Sequence, residues 1–178
     1  MCGIAAIINK RNLTKNPIST LKNMSRLISH RGPDQAGYLE YNNILLSHVR
    51  LPVMDPRNLG RQPMSNDNKI YIIFNGEIFN FKEIRVKLIK LGYKFISESD
   101  TEVALNAYKE WGVQSFDQFN GDWVICILDK DENTFLVAKD GLGTKPLYIY
   151  EDQEYLSFCS EIKGFEALKP PDFDPEYL

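Results

Sequence analysis

The chain has 178 residues, 43% of them hydrophobic and 25% charged, which fits one globular domain whose core needs no disulfide or structural metal. Its formal net charge of −3 argues against a nucleic-acid-binding protein, which usually carries a basic excess, and no apolar run is long enough to cross a membrane. Three cysteines without a C-x-x-C pair, and two histidines without zinc-ligand spacing, predict a reduced protein without a zinc site. We therefore expect a soluble, cytoplasmic enzyme or binding domain.

The first half of the chain predicts several strands and one helix. Residues 3–8 form a continuous apolar run, which is typical of a strand buried on both faces. Apolar residues at helical spacing predict a helix over 19–28. Short strands should follow at 37–41, 44–49 and 69–74.

The second half predicts two helices before a further group of strands. Asn80 and Glu83 have the spacing of a capping box, so a helix should begin there and end at Gly92. A second helix is expected from Asp100 to Trp111. The last strands are predicted over four short ranges: 122–128, 134–138, 147–150 and 155–158.

Strands joined by short loops, with helices in separate blocks, predict an α+β fold with antiparallel sheets. Residues 169–178 include two adjacent prolines and resemble a linker that enters another segment. We therefore expect a domain over 1–168, followed by the start of a linker to a further domain.

Cys2 is the first candidate for chemistry. Initiator methionine is commonly removed before a small second residue, and its removal would leave a thiol and an α-amine on Cys2. Because an α-amine has a pKa of about 8, it can act as the base for the thiol, as in N-terminal nucleophile enzymes. The alternative is an ordinary cysteine near a chain end. Cys126 and Cys159 lie in apolar strands and are predicted to be inert core thiols.

Three other positions each allow a structural and a functional interpretation. Asn75-Gly76 between apolar segments favours a two-residue hairpin turn, although its amide groups could also stabilise an oxyanion. Arg50 is either a surface residue or a two-pronged clamp for a carboxylate. Asp100 is either a helix N-cap or the partner of an ammonium group. The segment 141–145 lacks the spacing of a phosphate-binding loop and predicts a turn.

Five motifs follow one another along the chain: Met1-Cys2-Gly3-Ile4, His30-Arg31-Gly32-Pro33-Asp34, His48-x-Arg50-Leu51, Asn75-Gly76-Glu77-Ile78-Phe79-Asn80 and Ser99-Asp100-Thr101-Glu102. In this order they resemble the glutaminase domain of glutamine-hydrolysing asparagine synthetases, a class II glutamine amidotransferase. Two later segments, 140–148 and 160–163, extend the resemblance. The chain departs from the usual pattern at Asp122, where the family has an apolar residue, and at Lys139, where it has arginine.

The resemblance implies a four-layer αββα N-terminal nucleophile fold and hydrolysis of the glutamine side-chain amide to glutamate and ammonia. It implies that Cys2 is the nucleophile and that Asn75 and Gly76 hold the oxyanion.

The resemblance also implies the residues that bind the substrate. Arg50 would bind the α-carboxylate, while Asp100 and Glu77 would bind the α-ammonium. Leu51 joins this set, as does Arg31, which would orient the cysteine region.

For this domain the resemblance implies no metal or organic cofactor, since ATP and Mg would belong to a synthetase domain that follows it. The expected partners are L-glutamine and that C-terminal domain; a homo-oligomer is compatible with the resemblance, and no nucleic acid or membrane is involved. Two other interpretations stay open at this point. The domain could be an N-terminal amidohydrolase for another amide, or a catalytically silent interaction or regulatory domain.

Overall fold

The structure, a computed structural model, describes residues 1–11, 17–52 and 58–168. Within these residues the strands are β1 Gly3–Asn9, β2 Gln35–Tyr41, β3 Ile44–Arg50, β4 Ile70–Ile78, β5 Gly121–Asp129, β6 Thr134–Lys139, β7 Tyr148–Glu151 and β8 Tyr155–Cys159. The α-helices are α1 Pro17–Leu27, α2 Phe81–Lys90 and α3 Asp100–Trp111, and short 3-10 helices lie at Ser29–Arg31, Asn58–Gly60, Gly112–Gln118 and Ile162–Ala167. The predicted linker at 169–178 lies outside the described residues.

The strands form two antiparallel sheets. The first sheet has the order β2-β3-β1-β8-β7 and the second has the order β4-β5-β6. The apolar strand β1 lies at the centre of the first sheet, paired with β3 and β8. Its residues alternate between two apolar clusters, so that Ile4 faces the second sheet while Ile7 faces α1. A strand that is buried on both faces was the prediction for this segment, and it is confirmed.

Three apolar clusters stack the elements into four layers. Met24 of α1 packs on the outer face of the first sheet. The inner faces of the two sheets meet through residues such as Leu46 and Val124. Leu88 of α2 and Leu105 of α3 pack on the outer face of the second sheet, against Ile72. The order helix, sheet, sheet, helix confirms the predicted α+β class with two antiparallel sheets.

The hairpin turn predicted at Asn75-Gly76 is wrong. Strand β4 continues through both residues, and its register with β5 is unbroken from Ile70 to Ile78. Gly76 is needed there because φ is 150° and a Cβ atom would lie 2.1 Å from the carbonyl oxygen of Asp122. Close approach of two backbones, rather than a turn, explains this glycine.

The predicted cap of α2 is also wrong, and of the two interpretations of Asp100 the N-cap is excluded, although both helices are present. Asn80 precedes α2, but its side chain bonds the backbone of Gln118 and Asn120 instead of capping the helix. The N-cap of α3 is Ser99, whose hydroxyl accepts a hydrogen bond from the Glu102 N–H. Asp100 is therefore inside the first turn, where its carboxylate is available for other contacts.

Candidate active site

A cavity of about 160 Å³ opens where the two sheets and the start of α3 meet. Pairing of β1 with β3 places the chain start beside the end of β3, because Gly3 lies opposite Val49. Strand β4 and helix α3 supply the other walls. All of the predicted site residues except Arg31 line this cavity: Cys2, Arg50, Leu51, Asn75, Gly76, Glu77 and Asp100.

Cys2 is half-buried at the cavity wall, with its Sγ 3.7 Å from the carbonyl oxygen of Leu51. Burial raises the pKa of the Cys2 thiol, against the opposing influence of the chain-terminal ammonium and of Arg50. A thiol with a raised pKa is protonated at neutral pH and therefore needs a base before it can attack a carbonyl.

Arg31 lies behind Cys2 and does not line the cavity. Its Nε donates to the Cys2 carbonyl oxygen at 2.9 Å, and its Nη1 donates to Glu161 Oε1 at 3.0 Å. Although burial opposes it, hydrogen bonds from Arg31, His30 and Lys163 lower the pKa of Glu161 to about 2. This ionised pair fixes the backbone of Cys2, a geometry that suits the orienting role expected of Arg31.

The outer edge of β4 presents its backbone to the cavity. In an antiparallel strand alternate N–H groups point to the same side, and on this edge they find partners outside β5. The Ile72 N–H donates to Met64, and the Ile78 N–H donates to Asp100 Oδ2 at 3.1 Å. By the same alternation the Gly76 N–H points to this edge, beside the cavity.

Asn75 adds a second amide donor at the same point of the strand. The residue is 2% exposed, and its Nδ2 has no hydrogen-bond partner among the described residues. An unpaired buried donor is costly to a fold, so its retention beside a cavity indicates a ligand acceptor.

Arg50 is buried where β3 ends. Its Nη1 donates to Gln35 Oε1 at 3.2 Å, and Gln35 lies directly opposite it in β2. Gly60 makes room for the guanidinium, because a Cβ atom at that position would lie 2.4 Å from Arg50 Nη2. The absence of a side chain at Gly60 therefore lets the Arg50 guanidinium lie in the cavity wall.

Asp100 is almost fully buried, and burial raises its pKa to about 6, with the charge of Glu77 acting in the same direction. Glu77 itself is exposed and lies opposite Asp122 in the ladder between β4 and β5. This part of the cavity is therefore acidic, and a bound cation would offset the cost of ionising Asp100.

Sequence reasoning missed several residues that line the cavity, among them Gln62 and Lys145. The turn predicted for 141–145 is present, since the Gly143 N–H donates to the Asp140 carbonyl oxygen at 3.0 Å. That turn carries Lys145 to the cavity, a consequence that the local pattern does not reveal. Gln62 gave no local signal either, because its contacts are made with distant parts of the chain.

Among the described residues, no group of three or more His, Cys, Asp or Glu side chains could hold a metal ion. Within the same ranges no helix is both long and apolar enough to cross a bilayer.

Comparison with known proteins agrees with this geometry. Residues 1–177 match a family described as the glutamine amidotransferase domain. The chain is 37% identical to a putative glutamine-hydrolysing asparagine synthetase of Methanocaldococcus jannaschii, over 95% of this chain and 36% of that protein. It is also 37% identical to asparagine synthetase 1 of Bacillus subtilis, over 100% of this chain and 29% of that protein. The chain thus spans about a third of the length of these relatives.

A solved structure with the same fold is the glutamine phosphoribosylpyrophosphate amidotransferase of B. subtilis. Its TM-score is 0.80 at 20% identity, over 94% of this chain and 43% of that one. A structure described as the allosteric regulatory enzyme of purine biosynthesis gives a TM-score of 0.76. These neighbours confirm the predicted four-layer αββα fold. The chain therefore belongs to the glutamine amidotransferase domain family, and the resemblance of its motifs to the glutaminase domain of glutamine-hydrolysing asparagine synthetases is confirmed.

Proposed function

We propose that this domain hydrolyses L-glutamine to glutamate and ammonia with Cys2 as an N-terminal nucleophile. The observation that carries the proposal is the buried Asn75 Nδ2, which has no hydrogen-bond partner among the described residues and lies in the wall of the cavity that also holds Cys2. An amide donor of this kind, next to a thiol, fits the oxyanion of an acyl-transfer reaction.

The reaction requires that Met1 is removed, because the Cys2 nitrogen must be a free amine. The α-amine accepts the thiol proton while Sγ forms a bond to the amide carbon of glutamine. The resulting oxyanion accepts hydrogen bonds from Asn75 Nδ2 and the Gly76 N–H. The intermediate collapses to a thioester when the C–N bond breaks, and the amine returns its proton to the departing ammonia. Water then hydrolyses the thioester, giving glutamate and the free thiol.

The two ends of the amino acid are recognised by opposite charges. Arg50 binds the α-carboxylate through two parallel hydrogen bonds. Asp100 binds the α-ammonium, with Glu77 adding negative charge nearby and Leu51 completing the wall. An amidohydrolase for an amide without an amino-acid end would have no use for both Arg50 and Asp100, so glutamine is the preferred substrate.

The whole protein that contains this domain would use the ammonia for synthesis. Its relatives in the comparison are named asparagine synthetases, so we propose a C-terminal synthetase domain as partner and asparagine as product, in the cytoplasm. ATP and Mg would be bound by that synthetase domain, and no cofactor takes part in the glutaminase chemistry above.

The proposal is tested by measuring glutamate release from glutamine by the chain that begins at Cys2. We expect Cys2→Ala to abolish release while the circular dichroism spectrum and the melting temperature are retained. Cys126→Ala is the matched control, because burial raises the pKa of that core thiol to about 12 and makes it unreactive. Activity that survives Cys2→Ala and disappears in Cys126→Ala would overturn the mechanism.

A further inference from the structure

Phe74 lies on the outer edge of β4, just before the two oxyanion donors. Its backbone N–H and carbonyl oxygen on that edge are hydrogen-bonded to side chains. The Phe74 N–H donates to Gln62 Oε1 at 2.6 Å, and the Phe74 carbonyl oxygen accepts from His48 Nε2 at 3.0 Å. The two backbone polar groups of Phe74 are thus held by buried side chains from other parts of the chain.

His48 is suited to act as a fixed donor. Burial lowers the pKa of His48 to about 3, with Arg50 acting in the same direction, so the ring is neutral at ordinary pH. Because a carbonyl oxygen only accepts, the network assigns the ring proton to Nε2. His48 Nδ1 has no partner among the described residues.

His48 also connects the two sheets that carry the reacting groups. It lies opposite Ile4 in the ladder between β3 and β1 of the first sheet, and Ile4 is two residues from Cys2. Phe74 belongs to the second sheet and is followed directly by Asn75. The hydrogen bond from His48 to Phe74 therefore sets the separation between the nucleophile and the oxyanion donors.

Gln62 makes the corresponding connection to α3. Its Nε2 donates to Thr101 Oγ1 at 3.2 Å, and Thr101 follows Asp100, whose carboxylate accepts from the Ile78 N–H. Strand β4 is thus tied to the start of α3 on both sides of Gly76, through Gln62 at one position and through Asp100 at the other.

We propose that His48 and Gln62 are positioning residues, which hold the backbone of Phe74 so that Asn75 Nδ2 and the Gly76 N–H meet the oxyanion of the intermediate. This inference rests on the proposed function, since it needs an oxyanion to be formed. Neither residue transfers a proton or touches the reacting atoms.

The test is steady-state glutamine hydrolysis by His48→Phe in the chain that begins at Cys2. Phe keeps the ring but removes the donor to Phe74. We expect kcat to fall on the order of 100-fold, because a displacement of about 1 Å costs roughly this much. KM should stay near the parent value, because Arg50 and Asp100 are unchanged and the oxyanion contacts form only in the transition state.

Three further variants make the result specific. His48→Gln restores an N–H donor and should recover most of the lost kcat. Gln62→Met keeps the side-chain length but removes the acceptor, and should lower kcat as His48→Phe does. Ser47→Ala is the control, because Ser47 is the buried neighbour of His48 that faces the other way and bonds Ser25 of α1; its kcat should match the parent. Titration of the Cys2 thiol with iodoacetamide measures the fraction of each protein that has a reactive Cys2.

The outcomes separate this inference from the proposed function. A parent chain without glutaminase activity would refute the proposed function. An active parent, with folded His48→Phe or Gln62→Met whose kcat is unchanged, would refute the positioning role alone. A rise in KM at constant kcat would also overturn it, since that result would place the two residues in ground-state binding. If His48→Phe does not fold, Gln62→Met decides.

Discussion

Asp100 is a carboxylate that is buried at a cost in the free protein. Its pKa of about 6 lies above the value of about 4 for an unfolded aspartate. The folded state therefore binds more protons than the unfolded state between these pH values, so this group lowers the free energy of unfolding as pH rises from about 4 to 6. A substrate ammonium would remove that cost, which is why we place the amino end of glutamine there.

Asp100→Asn should weaken glutamine binding without weakening the fold. Asparagine keeps an acceptor for the Ile78 N–H but loses the charge, and loss of one member of a buried pair costs about 2–5 kcal/mol, or roughly 30-fold to several-thousand-fold in affinity. We expect KM to rise by at least the lower figure at neutral pH, with an unchanged or higher melting temperature. Since Ser99 caps α3, no cap is lost.

The same residue predicts a pH dependence. Protonation of the Cys2 α-amine already lowers kcat/KM below about pH 8. In the parent, kcat/KM should fall more steeply as pH drops below about 6, because protonated Asp100 no longer attracts the ammonium. Asp100→Asn should keep the first decrease and lack the second. Equal KM values in parent and variant, at equal stability, would remove Asp100 from the substrate site.

At the scale of the elements, the 3-10 helix Asn58–Gly60 brings Gly60 against the guanidinium of Arg50, the last residue of β3. Gly60→Ala would push a methyl group against Arg50 Nη2, the flexible end of a long side chain. We therefore expect the guanidinium to move and KM for glutamine to rise about tenfold or more, on the scale of one weakened charged contact, while the melting temperature changes little. Gly141→Ala is the matched control, since nothing lies within 4 Å of its Cβ position. Unchanged KM in Gly60→Ala would mean that Arg50 does not bind substrate.

The elements also show where local sequence patterns fail. Asn75-Gly76 has the composition of a hairpin turn, but nothing local reveals that β5 will pass within 2.1 Å of a Cβ atom there and make glycine necessary inside a strand. An N-cap was one of two interpretations of Asp100, and the sequence pattern could not exclude it because the neighbouring Ser99, which does cap α3, offers similar chemistry one residue earlier. Periodicity located the strands and helices well, because burial on one or both faces depends on side-chain spacing.

At the scale of the whole molecule, the candidate site is assembled from both sheets and from α3. Cys2 precedes β1 of the first sheet, whereas Asn75 and Gly76 belong to the second. These residues are far apart in the chain. The order of the motifs that contain them indicated one family, and the resemblance to that family predicted that they share one site. Gln62 and Lys145 were missed because their place in the cavity depends only on long-range packing, which no local pattern records.

The fold half-buries the Cys2 thiol and leaves the chain start at the cavity, so in the mechanism we propose the first residue decides whether the site can work. Met1 lines the cavity, and its peptide bond to Cys2 occupies the nitrogen that we propose as the base. A retained methionine or an N-terminal tag should therefore silence the domain even though Cys2 is intact.

The most direct test compares two chains that differ only in the presence of Met1. Each is released from a cleavable leader, so that one chain begins at Cys2 and the other begins at Met1. Intact mass verifies each start, and glutamate release from glutamine is measured for both. We predict turnover only from the chain that begins at Cys2. Equal turnover from the chain that keeps Met1 would contradict the assignment of the Cys2 α-amine as the base.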